Sequence, residues 1–157
     1  MTLISIFADR SIIGIIDRFS RYISLTAVSN QDETTTIQTI LRQWIFRFGA
    51  PACIHVDRGK VFESCSFLEF TKAMLIDVQY SSPYHHNTNG MIERQFRTIW
   101  GFLNGSLKDE GRNNWVDILP EIEFSINASR QISTGFSPAE VIIGKRITLD
   151  GSCHYEL

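Results

Sequence analysis

The stretch Ser-Ile-Ile-Gly-Ile-Ile-Asp-Arg-Phe-Ser-Arg-Tyr-Ile-Ser-Leu-Thr-Ala-Val, residues 11–28, decides the fold of this chain. Its first part, Ser11–Ile16, predicts a short β-strand. The segment Tyr22–Val28 alternates between apolar and polar side chains, which predicts another strand with one face toward the core. Asp17 follows the first of these strands, and we expect its side chain to cap the turn between them, as Asp does readily.

One strand before this stretch and one helix after it extend the pattern. Leu3–Phe7 predicts a strand that is joined to the next one by the turn Ala8–Arg10. Because the three strands are close in sequence, we expect them to form an antiparallel meander. Asp32 then caps a helix that ends at Gly49. Its apolar residues have the spacing of a helix that lies on a sheet, and they are Ile37, Ile40, Leu41, Trp44, Ile45 and Phe48.

Two further strands alternate with helices. Ala52–Val56 predicts a fourth strand and Ile76–Tyr80 a fifth. Between them, the capping box Ser66–Glu69 is expected to open a helix. Strands that are separated by helical crossovers pair in parallel. The sequence therefore predicts an α/β fold in which helices flank a mixed five-stranded sheet.

The remainder of the chain predicts helices. One follows the loop Ser81–Gly90, another begins near Asn113, and the capping box Ser137–Glu140 opens the last. The apolar side of the second of these helices carries Trp115, Ile118, Leu119, Ile122 and Ile126. We assign residues 1–146 to a single domain and residues 147–157 to a short tail.

Composition limits the classes of function. The chain has 157 residues, of which 43% are hydrophobic and 20% are charged, as in an ordinary single globular domain. No apolar run approaches the roughly 18 residues of a membrane helix, so we expect no membrane partner. Three cysteines without a CxxC pair predict a reducing, intracellular compartment and no structural zinc. With a net charge of −2, binding to a nucleic acid would need a local basic patch or a bridging metal.

Two carboxylates have positions that suit a metal. Asp57 ends the apolar run 52–56, and Glu93 lies one turn into an amphipathic stretch that follows a polar loop. A carboxylate at the end of a strand and another at the start of a helix can converge on a divalent cation, which prefers oxygen ligands. Taken singly, Asp57 could be a turn acid and Glu93 a surface residue paired with Arg97. As a pair separated by 35 residues, they predict half of a phosphoryl-transfer site.

Six short motifs occur in an order that resembles a known family. They are Asp-Arg-Phe-Ser-Arg-Tyr (17–22), Phe-Gly-Ala-Pro (48–51), Val-Asp-Arg-Gly-x-x-Phe (56–62), Ser-Pro-Tyr-His (82–85), Thr-Asn-Gly-x-x-Glu-Arg (88–94) and Ser-Thr-Gly-Phe-Ser-Pro (133–138). Together they resemble the catalytic core of retroviral-type integrases, of the kind encoded by gypsy-like long-terminal-repeat retrotransposons. The resemblance covers about residues 3–146. The family fold is ribonuclease H-like, in agreement with the mixed sheet predicted above.

The resemblance implies a polynucleotidyl transferase that performs 3′-processing and strand transfer in the DNA integration of a mobile element. In that family three carboxylates hold two Mg²⁺ or Mn²⁺ ions for an in-line attack on a phosphodiester. Asp57 matches the second carboxylate and Glu93 the third. A homodimer or higher oligomer and a location in the nucleus are also implied. The residues implied to contact DNA are Tyr84, Asn89, Arg94 and Arg97.

The first carboxylate of that set has no match. Counted back from Asp17, its place falls near Thr2 to Ser5, where the chain has no acid. Asp9 is the nearest substitute, but the predicted turn would hold it off the strand. We expect the first ligand to be missing, through truncation of the N-terminus, a start-site error or decay of the gene.

Two classes of function follow. The motifs and the acid spacing favour an integrase-type enzyme. The missing acid and the acidic balance of residues 101–157, with five basic and eight acidic groups, favour a catalytically inactive relic or a domesticated nucleic-acid-binding module. A full integrase is also expected to carry a zinc domain before the core and a DNA-binding module after it. A general ribonuclease H-like nuclease is a third reading, which the order of the motifs disfavours.

Overall fold

The strands come first in the chain and dominate the fold. A computed structural model describes residues 3–9, 12–81, 97–102, 115–132 and 134–148. Within these residues the chain forms a five-stranded sheet in the order β3-β2-β1-β4-β5. The strands are β1 (Leu3–Asp9), β2 (Ile12–Asp17), β3 (Ile23–Ala27), β4 (Cys53–Val56) and β5 (Asp77–Tyr80). β1, β2 and β3 form an antiparallel meander, whereas β4 pairs in parallel with both β1 and β5. The predicted mixed sheet is confirmed.

The hairpin between β1 and β2 is tighter than predicted. Ala8 pairs with Ile13 and Asp9 pairs with Ile12, so both residues belong to β1 and the turn predicted at Ala8–Arg10 is wrong at these two positions. Pairing continues this far because two residues are enough to connect antiparallel strands. Asp9 is therefore the last residue of a strand.

The helices are α1 (Glu33–Ile40), α2 (Phe46–Phe48), α3 (Cys65–Ala73), α4 (97–102), α5 (Trp115–Ala128) and α6 (Pro138–Ile143), with a π-helical turn (Leu41–Ile45) between α1 and α2. Asp32 caps α1 as predicted, since its Oδ1 accepts a 2.7 Å hydrogen bond from Thr35 N. The capping box of Ser137 and Glu140 at α6 is confirmed as well. No helix in the ranges given above is long and apolar enough to cross a membrane.

The start of α3 differs from the prediction. Ser64, not Ser66, is the N-cap, and its Oγ accepts a 3.3 Å hydrogen bond from Phe67 N. Both serines precede apolar helical residues. Ser64 is the N-cap because its Oγ also donates a 2.8 Å hydrogen bond to Val61 O, which connects the helix to the turn before it.

Two apolar clusters hold helices against opposite faces of the sheet. The first packs the strands against α1 and α3, with Trp44 and Phe67 fully buried. The second packs β2 and β3 against α4 and α5. Four of the five residues predicted on the apolar side of α5 are buried, namely Ile118, Leu119, Ile122 and Ile126, and the fifth, Trp115, is partly buried against the same cluster. The division into a domain over residues 1–146 and a tail over 147–157 stays a prediction.

Side chains from α5 complete the outer edge of β3. Asn127 accepts a hydrogen bond from Ile23 N at 2.9 Å and donates one to Ile23 O at 2.7 Å, as a neighbouring strand would. Two residues along the strand, Leu25 N donates to Glu123 Oε2 at 2.7 Å. Burial raises the pKa of the Glu123 carboxyl, against the lowering effects of the bond from Leu25 and of Arg47. Backbone groups that an edge strand would otherwise expose are thus satisfied by a helix.

Candidate active site

Asp57 is the first residue beyond β4, at the carboxyl edge of the parallel part of the sheet. The four residues of β4 are buried, whereas Asp57 is exposed. Pairing with the β5 side continues past the strand end, because Ser81 N donates to Val56 O at 2.8 Å. The backbone that carries Asp57 is therefore fixed by the sheet while its side chain faces solvent.

A short turn orients the Asp57 carboxylate. Its Oδ1 accepts a 2.9 Å hydrogen bond from Gly59 N, and Phe62 N donates to Gly59 O at 2.9 Å. A Cβ atom added at Gly59 would lie 2.9 Å from Asp57 Oδ1, closer than real Cβ contacts. A larger residue at this position would therefore displace the Asp57 carboxylate from its bond to the backbone.

The far end of this turn is anchored in the core. The Phe62 ring is buried and meets Phe67 edge-on, with 5.3 Å between the ring centroids. Tyr80 Oη donates to Phe62 O at 2.8 Å, which ties the turn to β5. Arg58 lies over the same tyrosine, with Cζ 5.6 Å from the ring centroid. These contacts hold the Asp57 turn in one position against the sheet.

A cavity of about 200 Å³ opens beside Asp57. Its walls come from the Asp57 turn and from the start of α1, and its lining residues are Gln31, Thr36, Asp57, Gly59, Lys60, Val61 and Phe62. The amide nitrogen of Gln31 is buried and has no hydrogen-bond partner in the part of the chain that the structure describes. Lys60 and Val61 separate this cavity from a second hollow that is lined by Asp32, Glu33 and Thr34.

Asp9 reaches the same edge of the sheet as Asp57. β1 and β4 run parallel with Ser5 opposite His55, so the level of Asp57 corresponds to Phe7, and Asp9 lies two residues farther along β1. At about 3.3 Å per residue this offset is about 7 Å. The expectation that Asp9 stands off the strand is therefore wrong, because β1 extends farther than its apolar run predicts.

Asp17 has a structural role, as predicted. Its Oδ2 accepts hydrogen bonds from Ser20 N at 2.7 Å and from Ser20 Oγ at 2.6 Å, and the residue is 5% exposed. The carboxylate thus caps the turn that leads into β3. No acid occupies β1 at the level of His55, where Ser5 lies.

Most of the other predicted site residues lie outside the described part of the chain. They are Tyr84, Asn89, Glu93 and Arg94, all within residues 82–96. Arg97 is described, and it is exposed on α4. In the described ranges no three His, Cys, Asp or Glu side chains come together as metal ligands. The convergence of Asp57 and Glu93 on a metal therefore stays a prediction.

Comparison with known families shows which family this chain belongs to. The family described as "Integrase core domain" matches residues 2–86, more than half of the chain and including Asp57 and its turn. This chain belongs to the integrase core domain family.

Relatives of this integrase core are segments of viral and transposon polyproteins. It is 24% identical over 133 residues to the Pro-Pol polyprotein of simian foamy virus type 3, covering 85% of this chain and 11% of the polyprotein. It is 20% identical over 130 residues to the retrovirus-related Pol polyprotein from transposon 412 of Drosophila melanogaster, covering 83% and 10%. This integrase core therefore spans about a tenth of the length of these two relatives.

Solved integrase structures share the fold. The HTLV-2 integrase catalytic core domain in complex with magnesium, in a trimeric form, superposes with a TM-score of 0.73 at 19% identity and covers 89% of this chain and 95% of that chain. The catalytic core domain of BIV integrase gives a TM-score of 0.74 at 18% identity, covering 90% and 93%. A simian T-cell lymphotropic virus intasome in complex with PP2A regulatory subunit B56 gamma gives 0.80 at 17% identity, covering 93% and 55%. The predicted ribonuclease H-like fold is confirmed.

Four residues that line the Asp57 cavity were not predicted from the sequence, and they are Gln31, Thr36, Lys60 and Val61. Gln31 belongs to the connection between β3 and α1, and Lys60 occupies an unspecified position of the motif 56–62. One signal was available for Gln31, since it immediately precedes Asp32, the N-cap of the helix that borders the site. No local signal indicated that this helix start lies against the Asp57 turn.

Proposed function

We propose that this integrase core is a polynucleotidyl transferase that performs 3′-processing and strand transfer on the DNA of a mobile element. The observation that carries the proposal is the Asp57 carboxylate, which is exposed at the carboxyl edge of β4 and oriented by Gly59 N. An oriented, exposed carboxylate on a rigid strand end is suited to catalysis, because its geometry is set before substrate arrives.

Asp57 and Glu93 are the residues we propose to hold Mg²⁺ or Mn²⁺. The fit of Asp57 rests on its chemistry and geometry, since hard dications prefer carboxylate oxygens and Oδ1 is already held by a backbone N–H. We further propose Asp9 as the third carboxylate, since it ends the strand beside β4. When bound, two divalent ions supply activation of the attacking hydroxyl and stabilisation of the leaving oxygen in an in-line displacement.

We propose that four residues outside the Asp57 turn hold the DNA strand. Arg97 is exposed on α4 and can contact a phosphate, a contact that positions DNA without reading its sequence. Tyr84, Asn89 and Arg94 complete the proposed set on the strength of the family resemblance. Residues 1–100 carry ten basic and nine acidic groups, so binding depends on local contacts and on the metal.

Metal titration and strand joining test the proposal together. The wild type is expected to bind Mn²⁺ in calorimetry and to join a recessed DNA 3′ end to a target duplex, and Asp57→Asn is expected to lose both properties. Asp77→Asn is the matched control, because Asp77 is also exposed but begins β5 at the opposite edge of the sheet. Equal joining by Asp57→Asn and the wild type would refute the assignment of Asp57.

The alternative is a catalytically inactive module that binds nucleic acid. The observation that favours it is the absence of an acid on β1 at Ser5, together with the use of Asp17 as a turn cap. If the module is inactive, the wild type would bind DNA without metal-dependent joining, and Asp9→Asn would bind DNA equally well. Loss of joining in Asp9→Asn would instead assign Asp9 to the metal site.

The assembly, origin and location of the protein are further parts of the proposal. The HTLV-2 catalytic core domain has been solved in dimeric and trimeric forms, which supports an oligomer here. Similarity to both viral and transposon polyproteins supports origin in a retroelement, and we propose a gypsy-like one that acts in the nucleus. Sedimentation at micromolar concentration tests the oligomer, and imaging of the tagged protein in cells tests the location.

A further inference from the structure

The cavity beside Asp57 has walls of two kinds. Val61 and Phe62 provide apolar surface, and the Gln31 side chain provides a planar amide with both a donor and an acceptor. At about 200 Å³ the cavity has room for one flat heterocycle rather than for a duplex. It adjoins the carboxylate that the proposed chemistry uses, so an occupant would lie next to the reacting end of the DNA.

The amide of Gln31 is the polar group in this cavity that needs a partner. Its nitrogen is buried without one among the described residues, and a buried donor left unpaired is unfavourable. Rotation about the last side-chain bond exchanges the positions of the amide nitrogen and oxygen. An occupant with an acceptor beside a donor, as on the Watson–Crick edge of a nucleobase, would bond to the amide nitrogen and oxygen together.

Charge argues against a phosphate as the occupant. Asp57 lines the cavity, and Asp32 and Glu33 line the adjoining hollow, whereas Lys60 is the basic residue that lines both. A phosphodiester placed there would meet more negative than positive side chains. A nucleobase is neutral, and its faces pack against apolar walls.

We propose that this cavity receives one unpaired nucleobase at the end of the DNA, with the Gln31 amide bonding to the edge of the base. The inference rests on the proposed action on DNA. It assigns to Gln31 the role of a base-binding residue that positions the DNA end beside Asp57.

Oligonucleotide binding measured by fluorescence anisotropy tests this assignment. The probe is a labelled duplex with a three-nucleotide single-stranded end, in versions that carry an abasic site at each overhang position. For the wild type, removal of one particular base is expected to weaken binding about tenfold, because the cavity loses its occupant. For Gln31→Met, which keeps the length of the side chain but removes the amide, the intact probe is expected to bind several-fold more weakly and the abasic penalty to shrink.

Two further variants separate loss of the contact from loss of structure. Gln38→Met changes an exposed glutamine on α1 that does not line the cavity, and it should bind like the wild type. Gln31→Glu keeps the shape but removes the donor, and it should show the weaker binding of Gln31→Met. Wild-type binding by both Gln31 variants would overturn the inference while leaving the proposed function intact. A wild type that binds none of the probes would overturn the proposed function, and this inference with it.

Discussion

The backbone N–H of Gly59 donates a 2.9 Å hydrogen bond to Asp57 Oδ1, and a Cβ atom at Gly59 would lie 2.9 Å from the same oxygen. The two facts belong together. A carboxylate that bonds to the backbone two residues later must pass close to the α-carbon of Gly59. A side chain at position 59 would collide with this carboxylate. Glycine therefore allows the acid to keep a defined orientation at the strand end.

Gly59→Ala is therefore expected to displace the Asp57 carboxylate. A shift of about 1 Å in a catalytic group can lower the rate about 100-fold, so strand joining should fall strongly and Mn²⁺ binding should weaken. Gly101→Ala is the matched control, because a Cβ atom there meets nothing within 4 Å and alanine favours the helix. Calorimetry and joining assays on both variants check this, and unimpaired joining by Gly59→Ala would contradict it.

Asp17 should affect stability and not metal binding. Asp17→Asn keeps an acceptor oxygen but loses the charge that strengthens the two bonds from Ser20. Because a hydrogen bond to a charged group contributes about 1.5–3 kcal/mol, the free energy of unfolding should fall by about 1–2 kcal/mol. Urea denaturation measures this loss. Unchanged Mn²⁺ affinity in the same variant is also expected, and a lost affinity would place Asp17 in the metal site.

Asn127 should be among the side chains most important for stability. Asn127→Ala leaves the N–H and the C=O of Ile23 without their partners at the edge of β3. Since each buried unpaired group costs about 1–3 kcal/mol, we expect the free energy of unfolding to fall by about 2–4 kcal/mol in urea denaturation. Asn30→Ala, at an exposed position before α1, should change it by less than about 0.5 kcal/mol. Similar losses in the two variants would show that the edge contact is unimportant.

Glu123 should make stability depend on pH. Burial raises the pKa of its carboxyl above the ordinary value of 4.5, so the folded state holds the proton at pH values where the unfolded state has released it. The stability contributed by this group is therefore fully present below about pH 4.5 and is lost as pH rises through the folded pKa. Glu123→Gln keeps an oxygen for Leu25 N and should remove this loss.

Thermal unfolding of both proteins from pH 4 to pH 8 measures that effect. The difference in midpoint between Glu123→Gln and the wild type should be small at pH 4 and should grow in favour of the variant as pH rises. A constant difference across the range would show that the carboxyl does not titrate in the way its burial predicts.

Much of the fold follows from patterns that are local in the sequence. The alternation in 22–28 predicts β3, and the apolar run 52–56 predicts β4 with Asp57 at its end. The starts of two helices are marked by Asp32 and by the capping box at Ser137. These signals succeed because a few neighbouring residues contain all the atoms that make each turn, cap or strand face.

The errors have a common cause. Ala8 and Asp9 belong to the predicted turn Ala8–Arg10, yet both are in β1, because the backbone of Ile13 and Ile12 pairs with them. Ser64 rather than Ser66 caps α3 because of an additional contact to Val61. In each case a contact with a residue outside the predicted turn or cap outweighed the preference of the residues within it.

By itself, the sequence determined the family, the mixed sheet and the position of Asp57 at a strand end, since these depend on short motifs and on hydrophobic periodicity. Only the tertiary structure decided that Asp9 reaches the same edge as Asp57, that Gln31 borders the cavity beside it, and that Asn127 completes β3 from 104 residues away. The physical reason is that strand register and helix packing are set by the whole core at once. The residues that make such contacts are far apart in the sequence, and the residues between them do not indicate which pairs will be in contact.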